Sequence, residues 1–261
     1  MRTLTAGDFD ALHAAFVAGF SDYVVKLSPT REQLLEMFTR RGWVPEASVA
    51  ELDGDDIVAF TVNGIYGESG YDSGTGVVPS HRRRGLAREL MERSCDLLRD
   101  RGCTRYVLEV LEGNDKAIAL YRDCGFVETR RLQCWSFAST DTHVTMQQHS
   151  AHAHEEWWTS EPSWQNATHS IARARDAHVT IGDDDAYAIL FPSNGDVAQL
   201  AVRPEARRRG LGTELLRTAA AIAQKPLRIM NVDANDDGTL RFLEAAGAQQ
   251  TVRQIEMLKL L

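Results

Sequence analysis

Lysine is nearly missing from this 261-residue chain: Lys26, Lys116, Lys225 and Lys259 are its only four, and arginine supplies the rest of its 29 basic residues. The formal net charge of −8 excludes the broad basic surface that nucleic-acid binding draws on. No apolar run approaches the ~18 residues that a membrane span needs. Met1-Arg2-Thr3-Leu4 opens no signal-peptide core, so neither a membrane nor an export route is expected and the compartment reads as cytoplasmic. Cysteine is scarce too. Cys95, Cys103, Cys124 and Cys134 all fall in the first half without a C-x-x-C pair, which excludes a disulfide framework and a thiolate zinc site. No histidine follows them at a spacing suited to a catalytic thiol. His143, His149, His152 and His154 lack a further ligand spaced to close a site, so no metal is expected and residues 139–162 read as a solvated linker. Trp157, Trp158 and Trp164 are expected to pack the two halves of the chain together.

What is present is a repeat. Val77-Val78-Pro79-Ser80-His81-Arg82-Arg83-Arg84-Gly85-Leu86-Ala87 returns as Val202-Arg203-Pro204-Glu205-Ala206-Arg207-Arg208-Arg209-Gly210-Leu211-Gly212, offset by 125 positions from Gly85 to Gly210. A strand end, a proline, a turn and a helix start are written twice, so one fold is expected to occur twice. With 43% hydrophobic and 25% charged residues, the chain is of ordinary globular composition.

Periodicity fills in the elements. The first half reads as helices Asp8–Phe20 and Ser28–Arg41, strands Ala47–Glu51, Ile57–Tyr66 and Tyr71–Val78, helix Gly85–Asp100, strand Arg105–Leu111, helix Asp115–Cys124, then strands Phe126–Thr129 and Leu132–Phe137. The second half repeats the tail of this order: strands Ala177–Gly182, Ala186–Phe191 and Val197–Val202, helix Gly210–Ala223, strand Leu227–Val232, helix Gly238–Ala246, and strands around Ala248–Val252 and Ile255–Leu260. One helix, Trp164–Arg175, precedes it where the first half has two. The spacing predicts a mixed α/β protein with domains at 1–138 and 163–261, the second shortened at its N-terminal side.

Three arginines followed by Gly-Leu-Ala or Gly-Leu-Gly cannot be a core segment. Small residues let the backbone approach a ligand, the first amides of the helix have no intrahelical acceptor, and the helix dipole is positive there. Such a turn suits a pyrophosphate, with arginines screening the remaining charge. Here the chain resembles the GCN5-related N-acetyltransferase superfamily, in tandem. The resemblance rests on Val77-x-Pro79-x-x-Arg82-x-x-Gly85-x-Ala87, on Leu200-Ala201-Val202-x-Pro204-x-x-Arg207-x-x-Gly210-x-Gly212, and on Leu108-Glu109-Val110…Asn114…Ala117-Ile118-Ala119-Leu120-Tyr121…Gly125-Phe126. It implies two acyl-CoA N-acyltransferase domains that take acetyl-CoA. It assigns Val77, Val78, Arg82, Arg83, Arg84, Gly85, Leu86, Ala87 and Asn114 to the coenzyme in the first copy. In the second it assigns Ala201, Val202, Arg207, Arg208, Arg209, Gly210, Leu211 and Gly212. The first copy departs from the pattern at Thr75-Gly76, where an apolar residue usually precedes the valine, and at Ala87, where glycine is usual.

Acetyl transfer to an amine has two proton problems. The amine must be neutral to attack, and the departing thiolate needs a proton. An α-amine is roughly a tenth neutral at pH 7, and a lysine below a thousandth. The resemblance places Tyr121 as the acid and Glu109 as the base, as in bacterial enzymes that acetylate ribosomal-protein N-termini. The plainer readings are a Tyr121 ring packed on the sheet and a Glu109 carboxylate paired with an arginine. Asp72 and Glu51, acting through water, are alternative bases. Aligning Gly247 with Gly125 puts Asn231 on Glu109 and Leu243 on Tyr121, so the second copy has lost both groups. The expectation is an active first domain that acetylates an amine-bearing small molecule or protein N-terminus, and a second domain that binds acetyl-CoA without turnover. The alternative is a non-catalytic acetyl-CoA-binding or sensing protein with two sites. The segment Phe20–Leu27, with Asp22, is expected to choose the acceptor.

Overall fold

The computed structural model describes residues 1–22, 28–139, 143–148 and 154–261. Expectations for Tyr23 to Leu27 and for His149 and His152 lie outside the described residues. The chain divides into two compact units, Met1–Thr129 with Glu256–Leu261, and Arg130–Ile255.

Unit 1 runs β1 (Arg2–Thr3), α1 (Phe9–Gly19), α2 (Arg31–Arg40), β2 (Val49–Asp53), β3 (Asp56–Tyr66), β4 (Ser69–Val77), α3 (Leu86–Arg99), β5 (Arg105–Leu111) and α4 (Asp115–Asp123). β1 through β4 pair antiparallel in succession, and β4 and β5 pair parallel. Helix α2 starts where Thr30 and Gln33 exchange hydrogen bonds between side chain and backbone, a capping box that satisfies two otherwise orphaned amides. One face of the sheet is covered by a cluster of Phe9, Leu12, Phe16, Leu34, Phe38, Phe60 and Val62. On the other face, Leu90 and Leu97 of α3 pack against Val49 and Ala59.

Unit 2 takes in most of β6 (Val127–Phe137), then α5 (Thr168–Ile171), β7 (Val179–Gly182), β8 (Ala186–Phe191), β9 (Asp196–Val202), α6 (Leu211–Ala223), β10 (Leu227–Asp233), α7 (Asp237–Ala246) and the first part of β11 (Gln249–Leu260). Its strand order is β11-β6-β10-β9-β8-β7. Leu215, Leu216 and Ala219 of α6 pack on Ala186, Ala188, Leu190 and Leu227. On the opposite face, Trp157 is buried with Ile171, Tyr187, Phe191 and Ala201.

Three expectations change. The strand pairs read at 126–137 and 248–260 are one continuous strand each, β6 and β11. Helix Trp164–Arg175 is a 3₁₀ turn (Trp164–Asn166) followed by the four residues of α5, because Ala167 between them is extended (ψ 150°). Trp157 and Trp158 pack inside unit 2, where Trp158 Nε1 donates to the Tyr187 hydroxyl (2.8 Å). Other described parts of 139–162 are built into the same unit. Met146 joins its core, and the Gln147 carbonyl accepts from the Gly182 amide (3.1 Å).

Candidate active site

The two arginine-glycine turns have the same backbone. After β4 the chain makes a 3₁₀ turn (Pro79–His81), Arg83 takes a left-handed φ of 63°, and Gly85 a φ of 81° at the start of α3. After β9 it makes a 3₁₀ turn (Pro204–Ala206), with φ 66° at Arg208 and 89° at Gly210 before α6. These positive φ values require the glycines and impose strain on the arginines. The first bonds back from each helix are the Arg88 amide to the Gly85 carbonyl (3.0 Å) and the Glu214 amide to the Gly210 carbonyl (3.1 Å). The amides of residues 83–87 and 208–212 therefore have no acceptor among the described residues. With Arg83, Arg84, Arg208 and Arg209 exposed around them, both turns fit a diphosphate.

The first arginine of each triplet is spent elsewhere. Arg82 Nε donates to the carbonyl of Val77, the last residue of β4 (3.1 Å), and Nη2 to the Gly19 carbonyl (3.0 Å). Both terminal nitrogens also bond Asp22 (2.6 and 2.8 Å), and Arg82 holds that carboxyl below its usual range. Arg207 repeats the device, with Nε on the Val202 carbonyl (3.1 Å) and Nη2 on the Trp157 carbonyl (2.8 Å). Asp22, expected to face an acceptor, is thus paired with the arginine expected to face the coenzyme. Val78 gives its amide to the Val58 carbonyl (2.9 Å), while Leu86 and Val77 pack against the Leu90 cluster. Gly76 is small because the Phe60 ring lies where a Cβ would be (2.6 Å).

Beside each turn the parallel strands part. β4 and β5 pair from Ser69↔Arg105 to Asp72↔Leu108 and no further, and β9 pairs β10 only at Asp196↔Arg228. β4 also bulges here. Its register against β3 slips from Gly74↔Val62 to Asp72↔Asn63, leaving Ser73 extra. Buried Asp72 accepts from the Gly74 amide (2.8 Å) and the Thr75 hydroxyl (2.7 Å), and Arg41 Nη1 holds the Ser73 carbonyl (3.1 Å). Burial raises the Asp72 carboxyl to about 6, against the pull of the Thr75 and Gly74 hydrogen bonds and the Arg41 charge. Glu109 is half-buried on β5 and pairs with the Tyr71 hydroxyl. Burial, then the Glu109 carboxylate, pushes Tyr71 well above the ordinary tyrosine value. Glu51 is committed to the Met1 ammonium (2.5 Å).

Tyr121, 8% exposed on α4, sets its ring against Phe126 (5.9 Å), which also touches Tyr106 of β5. By strand alternation Glu109 lies on the face opposite Tyr106, so acid and base candidates approach β5 from opposite sides. Asn114 caps α4, its Oδ1 accepting from the Ala117 amide (3.4 Å).

The sequence model described as Acetyltransferase (GNAT) family matches residues 10–126 and again 138–248. The chain belongs to the GNAT family. N-alpha-acetyltransferase 30 of Schizosaccharomyces pombe is 28% identical over 102 residues, 37% of this chain and 68% of the relative. The [ribosomal protein bS18]-alanine N-acetyltransferase of Salmonella typhimurium is 38% identical over 74 residues, 28% of this chain and half of the relative's length. A solved tandem GNAT protein from the clavulanic acid biosynthesis pathway superposes with a TM-score of 0.69 at 15% identity, covering 99% of this chain and 97% of that one, a likeness of fold. The family transfers acetyl groups from acetyl-CoA to amines, and this chain has the tandem GNAT architecture.

In the second GNAT copy, α7 is capped by Asp236 as α4 is by Asn114, 122 positions earlier. Burial pushes the Asp236 carboxyl up, but hydrogen bonds from Thr159, Thr239 and Ser160 outweigh it and hold it low. At the same offset, buried Leu243 (1% exposed) stands for Tyr121 and Asn231 for Glu109. Asn231 takes a φ of 60° at a bulge of β10, and its Oδ1 accepts from Gln254 Nε2 (2.8 Å) and Cys134 Sγ (3.2 Å). Asn166 spans the parted strands. Its carbonyl accepts from Gln199 Nε2 of β9, and its Nδ2 donates to the Met230 carbonyl of β10, both at 2.8 Å. A cavity of about 130 Å³ remains there, lined by Ser163, Gln199, Leu200, Met230 and Phe242. Phe242 also lies against Gly212, 3.0 Å from where a Cβ would be, Leu211 packs on the unit's core, and Ala201 is buried with Trp157. Sequence reasoning missed the Asn166 bridge, whose partners lie 33 and 64 residues away.

Proposed function

We propose that unit 1 transfers the acetyl group of acetyl-CoA to a primary amine, and that unit 2 binds acetyl-CoA at Arg207–Gly212 without turning it over. Bound acetyl-CoA would supply an activated thioester. In unit 1 the residues Arg83 to Ala87 hold its diphosphate, and Val77 and Val78 flank its arm. Glu109, directly or through one water, takes the proton of the attacking amine as the C–N bond forms. The Tyr121 hydroxyl gives its proton to the departing sulfur as the C–S bond breaks. Positioned groups of this kind contribute ~10²–10⁴ in rate. The supporting observation is the coincidence, in unit 1, of an amide-lined turn, a parted strand pair and the two proton-handling side chains. Unit 2 has the first two features, with Asn231 and Leu243 in place of the third. The acceptor is a small amine or a protein N-terminus, the latter in keeping with the name of the ribosomal-protein relative.

Thiol release with a panel of α-amines and amino sugars tests this reading. Tyr121→Phe and Glu109→Gln are each expected to lower kcat by about 10²-fold or more while leaving acetyl-CoA affinity in place. A protein that binds acetyl-CoA, acetylates nothing and ignores both substitutions would be a binder, and the transferase reading would be wrong.

A further inference from the structure

The two copies make the same bulge with different residues. In unit 1 the extra residue is Ser73, following Asp72. In unit 2 the register of β9 against β8 slips between Leu190↔Val197 and Ile189↔Gln199, so Ala198 is extra and Val197 precedes it. Val197, 3% exposed, stands 125 positions after Asp72, 6% exposed. A buried carboxylate is therefore not needed to build the bulge. It occurs only in the copy that carries Glu109 and Tyr121.

What the carboxylate touches is the parted stretch itself. Asp72 is the last residue of β4 paired to β5, and its two oxygens accept from Gly74 and Thr75, the residues that run on toward the turn paired to β3 but not to β5. The Thr75 hydroxyl meets the Thr61 hydroxyl of β3 (2.9 Å), so a chain Thr61–Thr75–Asp72 adds a side-chain tie to the ladder on that one side. We infer that Asp72 is a positioning residue of unit 1, whose ionised carboxylate fixes residues Ser73 to Thr75 so that they present an ordered edge to the acetyl-CoA arm. The inference rests on the reading of unit 1 as the acetyl-CoA site.

The surroundings say how pH enters. The titratable and charged groups that bear on Asp72 are Arg41 from the end of α2, Tyr71 beside it, and Tyr106 from β5. From α3 come the uncharged Met91, near Thr75 Oγ1 (3.6 Å), and Ser94, while the Tyr106 hydroxyl donates to Asn63 Oδ1 of β3 (2.5 Å). Burial leaves the Asp72 carboxyl at about 6, so it gains its proton just below physiological pH and the Thr75 hydroxyl loses the charge of its acceptor.

Calorimetric titration with acetyl-CoA tests this in the full chain carrying Gly210→Glu, which silences the second turn. The parent is expected to bind about five- to tenfold more weakly at pH 5 than at pH 7.5, the worth of one charge-assisted hydrogen bond. Asp72→Asn, Asp72→Val (the residue of the second copy) and Thr75→Val are each expected to bind at pH 7.5 with the parent's weak low-pH affinity, and with a flattened pH profile. Thr75→Val leaves the carboxylate in place, so it separates loss of the tether from loss of folding. Circular dichroism confirms folding in each. Binding that ignores residue 72 and residue 75 at both pH values overturns the inference alone. No acetyl-CoA binding by the Gly210→Glu parent overturns the coenzyme assignment of unit 1, and this inference with it.

Discussion

Asp72→Asn is expected to make the protein more stable at neutral pH. The Asp72 carboxyl is fully buried and titrates at about 6, against about 3.9 in an unfolded chain. About two pH units at ~1.4 kcal/mol each is ~3 kcal/mol on the whole titration. The sign follows from proton counting. Between pH 4 and 6 the folded state holds a proton that the unfolded state has released, so stability is full below about pH 4 and declines as pH rises through 6. Asparagine has no charge to desolvate and keeps an acceptor for the Gly74 amide, but it leaves the Thr75 hydroxyl without its carboxylate, a loss of ~1 kcal/mol. The net is a gain of ~2 kcal/mol at pH 7.5, shrinking toward zero at pH 4, where the parent's Asp72 is protonated as well. Urea unfolding across this range, read with hydrogen exchange at β3 and β4 so that unit 1 is followed by itself, measures it. A variant that is less stable than the parent at pH 7.5, or a difference that does not move with pH, would refute the argument. A stabilising substitution that impairs binding is the pattern expected where a costly buried charge is kept for function.

The division of labour among the arginines gives a second prediction. Arg83→Gln with Arg84→Gln should flatten the salt dependence of acetyl-CoA binding at the first turn. Arg82→Gln should leave that slope unchanged and lower stability by about 1–2 kcal/mol through its lost bonds to Val77 and Gly19. Equal slopes in all three proteins would end the distinction. Gly64→Ala should prevent unit 1 from folding, because a Cβ there would lie 2.1 Å from the Arg41 carbonyl oxygen. Normal soluble expression with a native melting temperature would contradict it.

The turns were legible because their chemistry is local. A proline, three arginines and a glycine specify strand end, left-handed bend and helix start within eleven residues, and both copies fold to the same left-handed φ values, 63° and 66° at the arginine and 81° and 89° at the glycine. Apart from the helix read at Trp164–Arg175, helix starts and ends came within three residues for the same reason, since Thr30, Asn114 and Asp236 are caps that act on adjacent amides. What the sequence hid was set by distant partners. Arg130 and Arg131 read as a break in a strand, yet Arg130 lies beside Asp233 (3.8 Å) and bonds the Glu161 carbonyl (2.6 Å), and β6 runs straight through. The stretch after Trp164 has helical spacing, but Asn166 is drawn off to β9 and β10 and the helix is cut short. In the sequence Asp72 reads only as an alternative base on a strand. Only the register of β3 against β4 shows that it sits at the bulge where the strands divide.

The chain's last six residues, Glu256–Leu261, belong to unit 1, where the Leu261 amide bonds the Thr104 carbonyl (2.9 Å) and Lys259 approaches Gly125. The unit that begins the polypeptide is therefore finished by its tail, with all of Arg130–Ile255 intervening. During synthesis the first unit stays incomplete until Glu256–Leu261 has been made, after all of Arg130–Ile255. Nor can a single cut near the middle of the gene yield two whole halves. The fragment 1–129 would emerge with an open sheet edge beside β5, an invitation to pair with other chains.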